Sequence, residues 1–238
     1  VNTRINRNTS FVHLGLTDYQ NAWDYQASLF QQILQIKSEN RFKPVAQQEP
    51  TPNHLIFCEH PHVFTLGKSG NRENLLVRAD QLGAIEATFV STNRGGDITY
   101  HGPGQLVGYP VLDLENFFTD IHRYMRTLEE AVIQTLHEVG VPSGRIPGLT
   151  GVWIEPENDK HARKICALGV KTSRWVTQHG FAFNVNTNLK YFEYIVPCGI
   201  SDKAVTSLQQ ETGKPHDMRT IEALMKNKLQ HLFGFNWV

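Results

Sequence analysis

The stretch RGGDITYHGPGQLVGYPVLDL, from Arg94 to Leu114, sets the tightest limit on the fold. It contains five glycines and two prolines. A glycine-rich turn that binds a dinucleotide follows a strand and opens a helix, so that the helix N-terminus meets the pyrophosphate. Here the residues after Gly104 are β-prone and include Pro110, and Gly108 stands at the wrong spacing. The GKS triplet at Gly67 lacks the earlier glycine of a phosphate loop. Two readings of the stretch remain. Its backbone lines a pocket, with Gly95 and Gly96 permitting close approach and Arg94 and His101 as polar flanks. Alternatively it is a tightly packed β-turn.

The remaining periodicities frame this β region with helices. Phe11 to Leu16 reads as a strand. Asp18 caps a helix to about Ile36 with Trp23, Ala27, Phe30 and Leu34 on one face. A Pro/Gln-rich loop at 43–53 leads to short strands in HLIFCEH, HVFTLG and NLLV, a helical turn at 79–84 and a strand in ATFVSTNR. The clearest helix spans Asp120 to Val139, closed by Gly140. Several strands follow from Gly151 to Asn186, with a charged loop at 155–163, and Asp217 caps a last helix ending near Phe233. The order is not a regular βαβ series. It predicts a mixed α/β (α+β) fold, with a sheet flanked by helices, in a single domain over 1–238.

Lys+Arg and Asp+Glu are both 23, giving a formal net charge of zero, which argues against a general nucleic-acid binder. No apolar run is long enough for a membrane helix, and the first residues lack the apolar core of a signal peptide. A cytoplasmic protein without nucleic-acid or membrane partners is expected. The three cysteines, Cys58, Cys166 and Cys198, are widely spaced, so no disulfide framework is expected.

A nucleophilic thiol needs a neighbour that favours thiolate. Cys58 lies in the apolar run LIFCEH and reads as a core thiol. Cys166 follows Lys164 by two residues, so the pair shares a face if the segment is a strand. Cys198, between Pro197 and Gly199, sits on a turn where a side chain can face a cleft. Cys198 ranks slightly ahead, and both stay open. Cys58, His60 and His62 imitate a metal cluster, but Pro61 interrupts them and no fourth ligand is evident, so they read as loop or packing residues and no metal is expected. His179 differs from the other histidines because it precedes Gly180 inside a strand, which suggests close backbone approach.

Taken together, RGGDITYHGPGQLVGYPVLDL, EHPHVFTLG, GVWI, KICALGVK, HGFAFNVN and VPCGI resemble the octanoyltransferases of lipoate biosynthesis, in the family's order and over nearly the whole chain. The resemblance implies the fold of the biotin and lipoate protein ligase catalytic domain. It implies transfer of an octanoyl group from octanoyl-acyl carrier protein to a lysine of lipoyl domains, in 2-oxoacid dehydrogenase complexes and the glycine cleavage H protein. It further implies a dyad of Cys198 as nucleophile and Lys164 as the lysine that lowers the thiol pKa. Substrate contacts carry over to Arg94, Gly95, Gly96, Asp97, Ile98, Thr99, Tyr100 and His101, to Ala167, Leu168 and Gly169, and to Gly180, Phe181 and Ala182. His179 falls behind them as a supporting residue. No cofactor is implied, because a thioester is already activated. Backbone N–H groups near Gly169 or Gly199 are candidates for holding the oxyanion. Two rivals are an ATP-dependent lipoate or biotin ligase of the same fold and a non-catalytic lipoyl-domain-binding protein. The missing side chains at Gly95, Gly96 and Gly180 are expected to make room for the acyl chain, and alanine at 180 is expected to be tolerated.

Overall fold

The computed structural model describes residues 5–196 and 204–238. Its large sheet is mixed and built around five longer strands. These are β1 (Asn8–Leu16), β2 (Asn53–Glu59), β6 (Gln105–Val111), β8 (Arg163–Ser173) and β9 (Val176–Asn184). Their order is β8-β9-β6-β2-β1, with the short β10 (Ala204–Val205) outside β8, β11 (Asn236–Trp237) outside β1, and β7 (Val152–Ile154) also paired to β8. Strands β1 and β2 run parallel, and β2, β6, β9 and β8 are antiparallel in turn. Every residue of β6 and β9 is buried, as expected of strands covered on both faces.

Alternation along β2 shows what covers them. Ile56 and Cys58 pack with Ala22, Phe30 and Ile33 of helix α1 (Tyr19–Asn40). Leu55 and Phe57 pack with Leu128 and Val132 of α2 (Ile121–Glu138) and Met225 and Leu229 of α4 (Met218–Phe233). A three-layer arrangement results, and α3 (Leu208–Thr212) is a short turn beside it. A second sheet, in the order β4 (Thr88–Ser91), β3 (Val63–Leu66), β5 (Ile98–His101), encloses its own core around Phe64, Ile98 and Tyr100.

Both expected helix caps form: Asp18 accepts from Gln20 and Asn21, and Asp217 from Thr220. Asp120, expected as the start of its helix, caps it by accepting from Arg123. Three local expectations change. Helix α1 continues to Asn40, where the Asn40 side chain bonds both backbone groups of Glu49 and pins the Pro/Gln-rich segment. Its buried face carries Ala22 and Gln26, while Trp23 and Ala27 are half-buried. Gln26 is inside because its Oε1 accepts the N–H of His179 at 3.0 Å, a demand from another element that helical apolarity cannot reveal. NLLV is no strand. A 3₁₀ turn occupies Arg72–Asn74, and only Leu75 bridges, to Ile195.

The glycine-rich stretch divides into two devices. Gly102 to Gln105 is a turn with Pro103 second and Gly104 third, Gly104 at φ +80°, closed by Gln105 N–H to the Gly102 carbonyl. That is type II geometry, which requires a positive φ at its third residue. It carries the chain from β5 in the small sheet to β6 in the large one. The other half, Arg94 to Asp97, is a loop laid against β8.

Candidate active site

A cavity of about 620 Å³ lies where that loop, β8, β9 and α2 converge. Among the residues singled out in the sequence, Arg94, Gly95, Gly96, Asp97, Ile98, Thr99 and His101 line it from the loop and β5. Lys164, Ala167, Leu168 and Gly169 line it from β8, and His179, Gly180, Phe181 and Ala182 from β9. Strand pairing brings the last two groups together, through Ala167 opposite Ala182, Leu168 opposite Phe181 and Gly169 opposite Gly180. Tyr100 is the exception. Its side chain points away into the core of the small sheet, where its hydroxyl meets His62 Nδ1 at 2.7 Å and its ring stacks on Tyr191. Alternation along β5 turns Tyr100 away from its neighbours in the motif.

Cys198 lies outside the described residues. The strand that follows it, β10, is parallel to β8, with Val205 opposite Lys164. The described chain before it is held by Val196 N–H to the Asn74 carbonyl. The other two thiols are sealed. Cys58 and Cys166 have no exposed surface, and burial pushes both thiols up, away from thiolate. Cys166 therefore loses the nucleophile role that sequence left open to it.

Lys164 extends over the Trp153 ring, with Nζ 4.7 Å from its centroid. Near it, Glu129 of α2 is fully buried. The Glu129 carboxylate accepts from Gly151 N–H at 3.0 Å, from Arg126 at 2.6 Å and from Arg145 at 3.0 Å. It ties the 148–150 loop, another part of the cavity wall, to α2. Sequence inspection passed over Glu129, Ile121, Met125 and this loop, because α2 read only as an amphipathic helix. The signal available was a glutamate inside the apolar stripe beside Leu128 and Val132.

At the other end, Arg94 is held by a buried network. Its guanidinium donates to the Thr65 carbonyl at 2.7 Å, to Thr65 Oγ1 at 3.0 Å and to the Gly95 carbonyl at 3.1 Å. Gln105 Nε2 donates to the Tyr100 carbonyl and to Asn184 Oδ1, leaving Gln105 Oε1 to accept from His101 Nδ1 at 2.8 Å. That assigns the His101 proton to Nδ1 and leaves Nε2 as acceptor for the Thr65 hydroxyl at 3.3 Å. Burial, with His60 and Arg94 nearby, holds His101 well below the usual histidine range, so it is neutral. His179 is likewise held down to about 3, by burial first and then by Arg94 and Lys171. It adopts φ +63° while β9 keeps its register with β8, Val170 standing opposite His179. The β6–β9 ladder stops at Gly108 opposite Phe181, and Pro110, with no N–H to offer, follows on β6. His179 Nε2 meets Asn93 Oδ1 at 2.8 Å, and Nδ1 is sealed without a hydrogen-bond partner among the described residues.

The close packing here corrects the expected purpose of the glycines. A Cβ at Gly180 would stand 2.2 Å from the Gly108 carbonyl oxygen and 2.7 Å from Pro110 Cδ. One at Gly169 would stand 3.0 Å from the Gly95 carbonyl oxygen. At these two positions the missing side chain lets backbones touch, which builds the wall. It does not clear space inside the cavity. Gly95 is more open, with Val170 O at 3.4 Å as its nearest neighbour.

Cys58, His60 and His62 do not converge either: Cys58 Sγ lies 3.5 Å from His60 Nε2, but His62 turns to Tyr100 and Tyr191. His60 bonds the Thr17 carbonyl and Tyr109 hydroxyl, and His62 stacks on Tyr191 at 4.0 Å. Among the described residues no three His, Cys, Asp or Glu side chains are grouped to hold a metal ion, and no helix is long and apolar enough to cross a membrane.

This fold and cavity match one family of acyl-handling catalytic domains. Residues 18–230 fit the lipoyl protein ligase A/B catalytic domain model. A bi-partite lipoate protein ligase from Thermoplasma acidophilum superposes with a TM-score of 0.69 at 17% identity, covering 98% of this chain and 86% of that one. A lipoate-protein ligase A bound with ATP gives 0.67 at 15% identity, covering 97% and 87%. Both likenesses concern the fold alone. Sequence similarity is narrower. The octanoyltransferase of Cytophaga hutchinsonii is 57% identical over 96% of this chain and 93% of its own length. That of Flavobacterium johnsoniae is 55% identical over 96% and 98%. The chain belongs to the lipoyl protein ligase A/B catalytic domain family, on its octanoyltransferase branch.

Proposed function

We propose that this chain transfers an octanoyl group from octanoyl-acyl carrier protein to a lysine of a lipoyl domain, through a thioester on Cys198. The observation that carries this reading is the mainly apolar cavity with Lys164 on its wall, beside the strand that follows Cys198. In the first step the Cys198 thiolate attacks the thioester carbonyl. The bond to the pantetheine sulfur breaks, and the pantetheine thiol leaves with a proton. In the second, the amine of the acceptor lysine attacks the enzyme thioester, an amide forms, and Cys198 departs as a thiol. Lys164 supplies positive charge that favours thiolate and handles the proton in each step. Arg94 to His101, Ala167 to Gly169 and Gly180 to Ala182 make the acyl site, with the Tyr100 side chain outside it. The whole chain acts as one catalytic domain in the cytoplasm, and ATP and metal are not needed. A lipoyl domain as acceptor is supported by the solved Thermoplasma lipoylation system, which pairs a ligase of this fold with its E2 lipoyl domain.

Intact-mass spectrometry after incubation with octanoyl-acyl carrier protein tests the reading. The chain should gain one octanoyl group without ATP, and Cys198→Ser should gain none, whereas Cys58→Ser should still acylate. Lys164→Ala should slow both formation and discharge of the thioester, and Lys171→Ala should not. Acylation of Cys198→Ser, or an ATP requirement, would refute it.

A further inference from the structure

We propose that Tyr19 sets the upper limit on acyl length in this cavity, an inference that rests on the acyl-transfer reading above. Tyr19 is the first residue of α1, held in place by the Asp18 cap and 3% exposed. Its ring stacks on His101 with centroids 5.7 Å apart and meets the His60 edge at 5.1 Å. Buried phenols ordinarily find a hydrogen-bond partner. The other buried tyrosines do: Tyr100 bonds His62, Tyr109 bonds His60, and Tyr124 donates to the Pro110 carbonyl at 3.5 Å. The Tyr19 hydroxyl has none among the described residues, yet its side chain lines the cavity.

Its place in the cavity gives this meaning. Strand β8 runs along the wall with Lys164 toward one end and Gly169 at the other, where Arg94 packs on it. That is a span of roughly 17 Å at the rise of an extended strand. Tyr19 stacks on His101, and His101 Nε2 meets the Thr65 hydroxyl that Arg94 also bonds, which places Tyr19 at the Gly169 end. An extended octanoyl chain is on the order of 10 Å long by ordinary C–C geometry. An acyl group whose carbonyl is held at Lys164 therefore points its methyl end toward Tyr19. Octanoyl stops short of the phenol. A longer saturated chain covers the hydroxyl, displaces any water bound there and offers no hydrogen bond in return, which penalises it.

Tyr19→Phe removes one oxygen that has no protein partner among the described residues, so the variant should melt no lower than the parent. Two readouts are compared: kcat/KM for decanoyl against octanoyl carrier protein, and equilibrium binding of free decanoate against octanoate. Both ratios should rise in Tyr19→Phe, by roughly tenfold, the equivalent of about 1.4 kcal/mol. Unchanged ratios overturn the assignment. So does a melting temperature several degrees lower, which would reveal a structural partner for the phenol. Because the fatty-acid arm does not need turnover, a parent that fails to transfer octanoyl refutes the transferase reading separately, and the binding ratio still tests Tyr19.

Discussion

Alanine at Gly180 tests the account of the cavity wall directly. The new Cβ would lie 2.2 Å from the Gly108 carbonyl oxygen. Relieving that contact means moving one backbone by nearly an ångström, since both partners are main chain. Strand β6 cannot yield freely, because β2 is paired on its other side from Val111 through Val107. Overpacking of this kind costs about 1–3 kcal/mol. At about 2–4 °C per kcal/mol for a chain of this size, Gly180→Ala should lower the melting temperature by roughly 2–12 °C. Gly95→Ala is the internal control. Its Cβ meets nothing nearer than 3.4 Å, so a change within about 0.5 kcal/mol, near 2 °C, is expected. Thermal unfolding followed by circular dichroism measures both. If Gly180→Ala melts with the parent, the close approach of β9 and β6 is not a constraint and the explanation of the glycine is wrong.

Stability should fall with acid above the carboxylate range. His60, His101 and His179 are neutral in the fold, at about 4, well below 6.5, and about 3 respectively. The unfolded chain takes up their protons first, so stability is complete above about pH 6.5 and declines toward pH 4, by about 4 kcal/mol per unit for all three at full slope. Urea midpoints at pH 7.0, 6.0 and 5.0 would show this, and a flat profile would contradict it. Glu211 and Glu130, held low by their arginines, lose their contribution only below about pH 4.5. Glu129→Ala should destabilise by about 2–4 kcal/mol, since it strips Arg145 and the Gly151 N–H of a buried acceptor. Chemical denaturation measures that loss, and a loss below about 1 kcal/mol would show that the loop does not depend on Glu129. Arg174 and Trp175 turn the β8–β9 hairpin at φ +49° and +65° without glycine or asparagine. Arg174→Asn should therefore raise the melting temperature by a few degrees, because asparagine adopts this region more readily.

Much of this molecule was legible in the sequence, because local physics decides it. The aspartates at 18 and 217 capped helices because a carboxylate beside free N–H groups needs no help from distant residues. Pro110 after a glycine-rich turn excluded a helix there, and β6 is a strand. Of the family motifs, RGGDITYHGPGQLVGYPVLDL, KICALGVK and HGFAFNVN meet in one cavity. The direction of individual side chains was decided elsewhere. Tyr100 leaves the cavity its neighbours line because strand alternation and the aromatic cluster around Tyr191 take it. Gln26 enters the core because His179 of β9, far away in sequence and at φ +63°, presents an N–H that must be bonded. Gly180 and Tyr19 acquire their roles only from what stands opposite them, a carbonyl of β6 and a cavity lined by β8. Periodicity reports whether a residue is buried. What it is buried against is a property of packing between segments, and only the tertiary structure contains it.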